Sequence, residues 1–540
     1  MSSPVVSSNT LLGALVLFIA TYVGWRWTNL WRFYHTLRGD MHLVNLRAHQ
    51  KYGPVVRTGP NHLDLDLPGL IKTVYSSDGR WRKTDFYPPA SNVMDGRVVD
   101  NLFSLQDPAQ HARQKRPVAK HYSLAGVLSL EPYVDETIRL LCRMLEERYM
   151  PARSGGDGEG ETGERFSPGF DLGQWIKMYT WDVIGQITFG KHFGYLRAGR
   201  DFDGHLWLSD KGADYLASVS QIPWLDRLID KNPLFPVAGA TALLGPTLQY
   251  LEERYAAARD DGHHNPHDDA AAAATTQPPD FLDKFLEAQR EHPDVVDRRQ
   301  VVGYLSINML AGADTTAIAI KAVLYYALRT PGVWPKLVTS VRAALDDSTA
   351  EEEAVPSPYA ELRAANRMPY LEAVVREALR MHPGVAMVLP RYVPADGLEL
   401  PGGLGVVPPG TSVGMNPYVL GRNRGVWGPD ADEFRPERWL RYGHGHGQKE
   451  EEEEAEDEET EEGYAARLRA MNNADLTFGA GSRVCLGKHL GLLQVYKVVA
   501  TLVARYDLEL VDPAKNWWVR CAFFLRQRGP DVRIRRRRRG

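Results

Sequence analysis

A single cysteine with glycines on both sides is the most reactive pattern in this sequence. Cys485 lies in the segment Phe478–Gly487, and an apolar stretch with helical spacing, Leu490–Val503, follows it. The start of a helix supplies amide N–H groups and a positive dipole end, which favour thiolate over thiol. A lone thiolate cannot build a tetrahedral zinc site, but it suits a single protein ligand to a haem iron. Cys142 and Cys521 are predicted to be inert buried thiols.

A long apolar element with polar residues at one point is the second pattern. Val301–Arg329 is apolar nearly all round, which predicts a helix buried on every side, and Pro331-Gly332 ends it. Within Ala311–Thr316, glycine costs about 1 kcal/mol relative to alanine. Asp314 and Thr315 compete for backbone hydrogen bonds, and a carboxylate in apolar surroundings needs a partner or water. The pattern indicates either a ligand groove with a proton path or a kink that serves helix packing alone.

Glu377 and Arg380 are spaced i, i+3, which places them on one face of a helix. Pro369 suits the first turn of that helix, and Pro383 disfavours continuation past His382. By itself the pair is typical of a surface ion pair, and such pairs contribute little to stability.

Four segments in chain order resemble the motifs of the cytochrome P450 family, the haem-thiolate monooxygenases. The segments are Ala311–Thr316, Glu377–Arg380, Phe434–Trp439 and Phe478–Gly487. The resemblance extends from about Leu30 to the C-terminus. It implies a mainly α fold with small β-sheets, one catalytic domain over residues 30–540, and haem b as the cofactor.

The resemblance also implies a role for each matching residue. Cys485 would be the iron ligand, and Asp314 and Thr315 would form the acid–alcohol pair that delivers protons for cleavage of the O–O bond. The residues expected around the haem are Phe478, Gly481, Arg483, Gly487, Arg391, His111 and Lys115. Lys115 stands where the family usually has arginine, and lysine lacks the two-pronged donor geometry that arginine offers a carboxylate. The residues of a buried cluster that supports the cysteine loop would be Glu377, Arg380 and Arg438.

Electrons must reach the haem from outside, because no flavin or nicotinamide fingerprint follows the cysteine loop. The resemblance implies NADPH as their source, an NADPH–cytochrome P450 reductase as the donor and cytochrome b5 as a further partner. O2 and a small apolar molecule would be the reactants. Arg113, Lys120 and Lys488 are predicted to form a positive docking face on the cysteine side.

Three segments are similar to fungal enzymes of the pisatin-demethylase-like group, namely Lys51–Arg57, Lys83–Tyr87 and Gln221–Asp226. This similarity implies a fungal secondary metabolite as substrate: a terpenoid, a polyketide or an alkaloid. By position in the family, the pocket is expected to be lined by parts of Asn92–Phe103, Tyr304–Ala311, Gly384–Leu389 and Ala522–Phe524. These segments are largely apolar, as ligand pockets usually are.

Two alternative functions stay open. One is a haem-thiolate isomerase or dehydratase that works without a reductase, and the other is a haem-binding sensor without turnover. Asp314 and Thr315 favour the monooxygenase, because such isomerases typically lack the acid–alcohol pair.

The N-terminus predicts a membrane anchor over residues 1–29. The 24 residues from Ser2 to Trp25 carry no charge, and as a helix they would span about 36 Å, enough to cross a hydrocarbon core of about 30 Å. Trp25 and Trp27 suit an interface, while Arg26 and Arg32 follow on one side, which places the catalytic domain in the cytosol. We expect a single-pass protein of the endoplasmic reticulum. A cleaved signal peptide is the alternative, although no basic residue precedes the apolar run.

Composition excludes other classes of protein. Three cysteines in 540 residues exclude a disulfide framework. The net charge of −4 includes eleven acidic residues between Glu450 and Glu462, and the charge pattern does not indicate a nucleic-acid partner.

Segments 153–164, 260–280 and 443–463 are predicted to be disordered insertions, because they cannot bury enough apolar surface.

Overall fold

The computed structural model describes residues 29–150, 165–232, 244–260, 278–345, 367–442 and 459–537, together with position 13. Its α-helices are α1 Leu30–Arg38, α2 Met41–Tyr52, α3 Ile71–Val74, α4 Pro108–Ala119, α5 Leu124–Leu128, α6 Glu131–Tyr149, α7 Leu172–Phe189, α8 Tyr195–Ala198, α9 His205–Val219, α10 Trp224–Leu228, α11 Leu244–Asp260, α12 Phe281–Glu291, α13 Arg298–Gly312, α14 Asp314–Arg329, α15 Val333–Ala344, α16 Pro369–Met381, α17 Pro417–Leu420, α18 Arg424–Trp427, α19 Glu461–Ala474 and α20 Lys488–Arg505. Its strands are β1 Val55–Gly59, β2 His62–Leu65, β3 Asn92–Met94, β4 Arg97–Val99, β5 Arg391–Tyr392, β6 Leu398–Glu399, β7 Val406–Val407, β8 Ser412–Gly414, β9 Tyr506–Leu510, β10 Trp518–Ala522, β11 Phe524–Arg528 and β12 Val532–Arg536. The prediction of a mainly α fold with small sheets is confirmed.

The strands form one four-stranded sheet and four two-stranded sheets in the described part of the chain. The larger sheet has the order β1-β2-β8-β5, and β2 and β8 are its parallel pair. Residues 55–59 and 62–65 form β1 and β2, and residues 398–407 contain the β6–β7 hairpin.

The predicted long apolar helix forms the centre of the core. It runs as α13 and α14, and α14 packs against α7, α16 and α20. Between them lies Ala313, and the hydroxyls of Thr315 and Thr316 donate to the carbonyls of Ala311 and Gly312. The polar residues therefore break the helix where the sequence predicted. Among the described residues, the segment Arg298–Arg329, taken as a whole, is apolar and long enough to cross a membrane. However, 67% of its most apolar part is buried inside the protein, as expected of a core helix.

Several boundary predictions need correction. The predicted anchor lies outside the described residues apart from its edges. Arg32, which was expected to flank it, is 8% exposed, and burial lowers its pKa to about 10 while the Asp64 charge partly opposes that effect. Most of the three predicted insertions also lies outside the described residues. The last one ends earlier than expected, because Thr460 accepts a hydrogen bond from the Gly463 amide and caps α19. Asp280 likewise caps α12, through a reciprocal pair of bonds with Asp283.

Candidate active site

The cysteine loop lies between a short 3₁₀ turn, Gly481–Arg483, and the start of α20. The Cys485 amide donates to the Phe478 carbonyl at 2.7 Å, which folds the loop back on itself. The Cys485 thiol faces a cavity, and the Gly487 amide points at the sulfur. The sequence-predicted arrangement of sulfur and helix start is therefore present.

The ionisation of Cys485 differs from the sequence-based expectation. Cys485 is exposed to the cavity, but its position deep in the protein desolvates the thiol and raises its pKa, and the Gly487 amide and the Lys488 charge only partly oppose that effect. The protein groups alone therefore favour the thiol, because desolvation outweighs one N–H and one lysine. A coordinated metal ion would supply the missing positive charge, since a metal-bound thiol is deprotonated outright.

Gly481 and Gly487 contribute to the cysteine loop in two different ways. Gly481 has a φ of +62°, and a Cβ there would lie 1.7 Å from the Tyr75 carbonyl oxygen, so no other residue fits. A Cβ at Gly487 would meet nothing within 4 Å, and this residue contributes through its amide instead.

The cavity above the sulfur has a volume of about 330 Å³. Residues from all four segments predicted to line the pocket do so, and the kinked helix adds Ala311, Thr315 and Thr316. The Thr315 hydroxyl donates to the Ala311 carbonyl at 2.7 Å. Tyr122 and Leu216 also line the cavity, and the sequence analysis did not name them.

The structure separates the predicted acid–alcohol pair. Thr315 lines the cavity, whereas the Asp314 carboxylate is 4% exposed and turns towards α7 and α9. It accepts hydrogen bonds from Trp181 Nε1 at 3.0 Å and Ser209 Oγ at 2.8 Å, and Lys177 Nζ lies 3.9 Å away. The carboxylate is thus paired with protein donors. The spacing of the helix motif contains no sign of Trp181 or Ser209, because both come from other elements.

Basic side chains gather at one end of the cavity. His111, Lys115 and Arg483 line it, as expected, and Lys83 joins them without having been predicted. Arg391 lies close enough to affect the pKa of Arg483, and it donates to the Tyr87 hydroxyl at 2.7 Å. Lys115 donates to the Ser482 carbonyl at 3.3 Å.

These groups repel each other in the absence of an anion. Burial and the Arg391 charge lower the pKa of Arg483 to about 10, and burial and Arg483 lower that of His111 to about 3. Burial, with the charges of Arg391 and Arg483, also lowers the pKa of Lys83 well below its ordinary value. Nη1 of Arg483 is buried without a hydrogen-bond partner among the described residues. No Asp or Glu of the described chain lines the cavity, so the site fits a dianionic cofactor such as haem, whose two propionates would meet these cations.

The cluster predicted to support the cysteine loop is buried, as the family resemblance implied. Glu377 is 0% exposed, and it accepts from Arg380 at 2.7 and 2.9 Å and from Arg438 at 2.8 Å. The Arg435 amide and Trp439 Nε1 complete its shell at 3.0 and 2.9 Å. Burial alone would raise the pKa of Glu377, but these charges and donors lower it below its ordinary value of 4.5. The reading of Glu377 and Arg380 as an ordinary surface ion pair is therefore wrong.

The predicted docking residues differ in their surroundings. Arg113 pairs with Asp294 at 3.3 Å and Lys120 with Glu291 at 3.5 Å, so both charges are partly neutralised. The Lys488 ammonium is exposed and lies 5.5 Å from the centre of the Phe478 ring, beside the cysteine loop.

Comparison with known proteins identifies the family. The cytochrome P450 family model matches residues 23–520. The cytochrome P450 monooxygenase cfoH of Aspergillus candidus is 40% identical over 512 residues, which cover 94% of this chain and 86% of that protein. The cytochrome P450 monooxygenase pkfB of Emericella nidulans is 34% identical over 522 residues, covering 95% of this chain and 90% of that protein.

A cytochrome P450 monooxygenase of Aspergillus terreus is 34% identical over 488 residues, covering 89% of this chain and 88% of that protein. The chain therefore belongs to the cytochrome P450 family. It is an oxidoreductase that incorporates oxygen from O2, and haem is the cofactor that the family implies.

Proposed function

We propose that this enzyme inserts one oxygen atom from O2 into an apolar fungal secondary metabolite (a terpenoid, a polyketide or an alkaloid). Electrons would come from NADPH through an NADPH–cytochrome P450 reductase. The observation that carries the proposal is a single apolar cavity that brings together the Cys485 thiol, the Thr315 hydroxyl and a basic end. An apolar lining favours an apolar substrate.

Each side chain has a defined task in this proposal. Cys485 would hold the iron, and Arg483, Arg391, Lys115, His111 and Lys83 would hold the propionates. When bound, haem supplies the activation of O2. The cavity walls exclude water and orient the substrate, and the Thr315 hydroxyl would hold a proton donor on the distal side. Asp314 would supply protons to that position from behind the helix. To do so, its carboxylate must give up the hydrogen bond from Trp181 or the one from Ser209.

Dependence of turnover on the reductase separates this function from its alternatives. We expect product only when NADPH, O2 and a reductase are all supplied. A haem-thiolate isomerase would convert its substrate without NADPH, and a sensor would bind ligand without consuming NADPH. Either result would contradict the proposal.

Thr315→Ala should uncouple the enzyme. The variant should keep its haem, because the Thr315 hydroxyl donates to the Ala311 carbonyl and not to the basic end or the cysteine loop. Most electrons should, however, leave as hydrogen peroxide. General acid catalysis contributes about 10²–10⁴-fold, so we expect the amount of product per NADPH to fall at least about tenfold. Product, NADPH and peroxide are measured together. Thr411→Ala, which lies outside the cavity, is the matched control, and unchanged coupling in Thr315→Ala would count against the assignment.

Lys83→Met should weaken retention of haem. The Lys83 ammonium is 5% exposed and donates to the Phe103 carbonyl, with no carboxylate lining the cavity beside it. Loss of one charge-assisted hydrogen bond to a propionate should speed haem transfer to excess apomyoglobin about tenfold. Lys72→Met removes an exposed lysine and is the control. Equal transfer rates would show that Lys83 does not hold the cofactor.

We also propose a cellular setting for the enzyme. Residues 1–29 would anchor the protein in the endoplasmic reticulum membrane, with residues 30–540 as the cytosolic catalytic domain. The exposed Lys488 beside the cysteine loop would contribute to docking of the reductase and of cytochrome b5.

A further inference from the structure

Two aromatic side chains meet in the cavity from elements far apart in the sequence. Phe103 belongs to the loop after β4, and Phe523 forms the tip of the β10–β11 hairpin. Both rings line the cavity. Their centroids are 5.4 Å apart and their planes are inclined by 76°, so the edge of one ring meets the face of the other and the pair forms a V-shaped corner in the cavity wall. Phe523 is 4% exposed, so it presents only part of its ring to the cavity.

Hydrogen bonds from a buried side chain fix the loop that carries Phe103. The Asn101 side chain, 1% exposed, accepts hydrogen bonds from the amides of Phe103 at 2.9 Å and Ser104 at 3.0 Å. Its amide group donates to the Ala90 carbonyl at 2.8 Å. The ring is therefore attached to a loop whose conformation a buried side chain fixes.

Phe523 is held in an unusual conformation. It is the single residue between the paired residues Ala522 and Phe524, and its φ is +63°. A residue other than glycine adopts such a φ only where its surroundings impose it, and these positions cluster at ligand sites. The Leu525 amide donates to the Gly384 carbonyl at 3.1 Å, which ties the hairpin to a neighbouring segment that also lines the cavity.

Two buried rings support the V from behind. Phe86 and Tyr87 are 5.2 Å apart, Tyr87 lies 5.3 Å from Phe103, and Phe86 lies 6.2 Å from Phe523. Each of the four rings thus contacts two of the others, and rotation of Phe103 or Phe523 would break two ring–ring contacts. The V-shaped surface is preorganised before a ligand enters.

The polar groups nearby are already used within the protein. The Tyr122 hydroxyl donates to Asn308 Oδ1 at 2.7 Å, the Tyr304 hydroxyl to the Gln114 carbonyl, and the Thr315 hydroxyl to the Ala311 carbonyl. The Lys83 ammonium also lies here, 4.6 Å from the centre of the Phe103 ring, but its proposed partner is a haem propionate. Recognition of the substrate in this part of the cavity therefore depends on shape and on contact with the rings.

We infer that Phe103 and Phe523 make the enzyme selective for flat aromatic substrates, one ring stacking on the substrate and the other meeting its edge. This inference rests on the proposed function and specifies its substrate class. An aromatic pair prefers stacked or edge-to-face geometry, whereas a saturated ring system of equal size offers neither a π face nor a polarised edge.

A pair of ligands with the same carbon skeleton tests the inference. The holoenzyme is titrated with 2-naphthol and with 2-decalol, and the dissociation constants are read from the change in the haem Soret band. We expect 2-naphthol to bind about two- to tenfold more tightly. Phe523→Leu and Phe103→Leu should each reduce that preference and leave the affinity for 2-decalol within about twofold. Phe202→Leu changes an exposed phenylalanine outside the cavity and should leave both affinities unchanged.

Equal affinities of the wild type for 2-naphthol and 2-decalol would overturn the inference. So would an unchanged preference for 2-naphthol in both Phe103→Leu and Phe523→Leu. The carbon monoxide spectrum of each variant verifies that its haem site is intact, so a folding defect in one variant leaves the other decisive. Failure of the proposed function would look different. Reductase-dependent NADPH consumption would then be absent, while the ligand preference could still be measured.

Discussion

Replacing Cys485 with serine should abolish the strongly red-shifted band of the reduced, carbon monoxide-bound protein, and with it all oxygenase activity. A serine hydroxyl has a much higher pKa than a thiol and donates less electron density to iron. The spectrum and reductase-dependent turnover are the measurements.

Cys142→Ala is the matched control for this experiment. Cys142 is 1% exposed and does not line the cavity, so its removal should cost some stability and leave the carbonyl band unchanged. A red-shifted band that survives in Cys485→Ser would show that the iron ligand has been assigned to the wrong residue.

Neutralising Glu377 should be the most destabilising change outside the cavity. Glu377→Gln would leave the buried guanidinium groups of Arg380 and Arg438 without their carboxylate, and the new amide would direct N–H groups at donors. Breaking a buried ion pair by removing one partner typically costs about 3–5 kcal/mol. We expect the free energy of unfolding to fall by about that amount. We propose that haem incorporation falls with it, since the family resemblance implies that the cluster would support the cysteine loop. Glu399→Gln, at an exposed position on β6, should change neither quantity.

The pH dependence of this loss has a defined sign. Because the folded protein lowers the pKa of Glu377 below 4.5, the carboxylate contributes its full stability above pH 4.5. That contribution is lost as the pH falls through the folded-state pKa. The difference in unfolding free energy between wild type and Glu377→Gln should therefore be constant near neutrality and shrink in acid. A difference that grows on acidification would contradict the assigned role.

Local patterns explain which site features could be predicted. The break at Ala313 was visible because Gly312, Asp314 and Thr315 each weaken helical hydrogen bonding by themselves. The cysteine loop was visible because glycines must surround a residue that the backbone wraps so closely. At Gly481 a Cβ would lie 1.7 Å from the Tyr75 carbonyl oxygen, so the backbone there leaves no room for a side chain.

Features that depend on distant residues were not predictable in this way. The spacing of Glu377 and Arg380 also occurs in surface pairs, and only burial against the Pro436–Trp439 turn distinguishes the two cases. Lys83 carries no spacing signal, because its role depends on the approach of Arg391 and Arg483 from other parts of the chain. Asp314 was correctly expected to need a partner, but Trp181 and Ser209 lie more than 100 positions away.

The sequence by itself determined the chemistry of this protein, since the cysteine loop and the polar break in a buried helix are encoded within ten residues each. Tertiary structure alone decided the charge balance and the shape of the cavity. A pKa depends on burial and on neighbours within a few ångströms, and the V of Phe103 and Phe523 exists only where a loop and a hairpin about 420 residues apart come together.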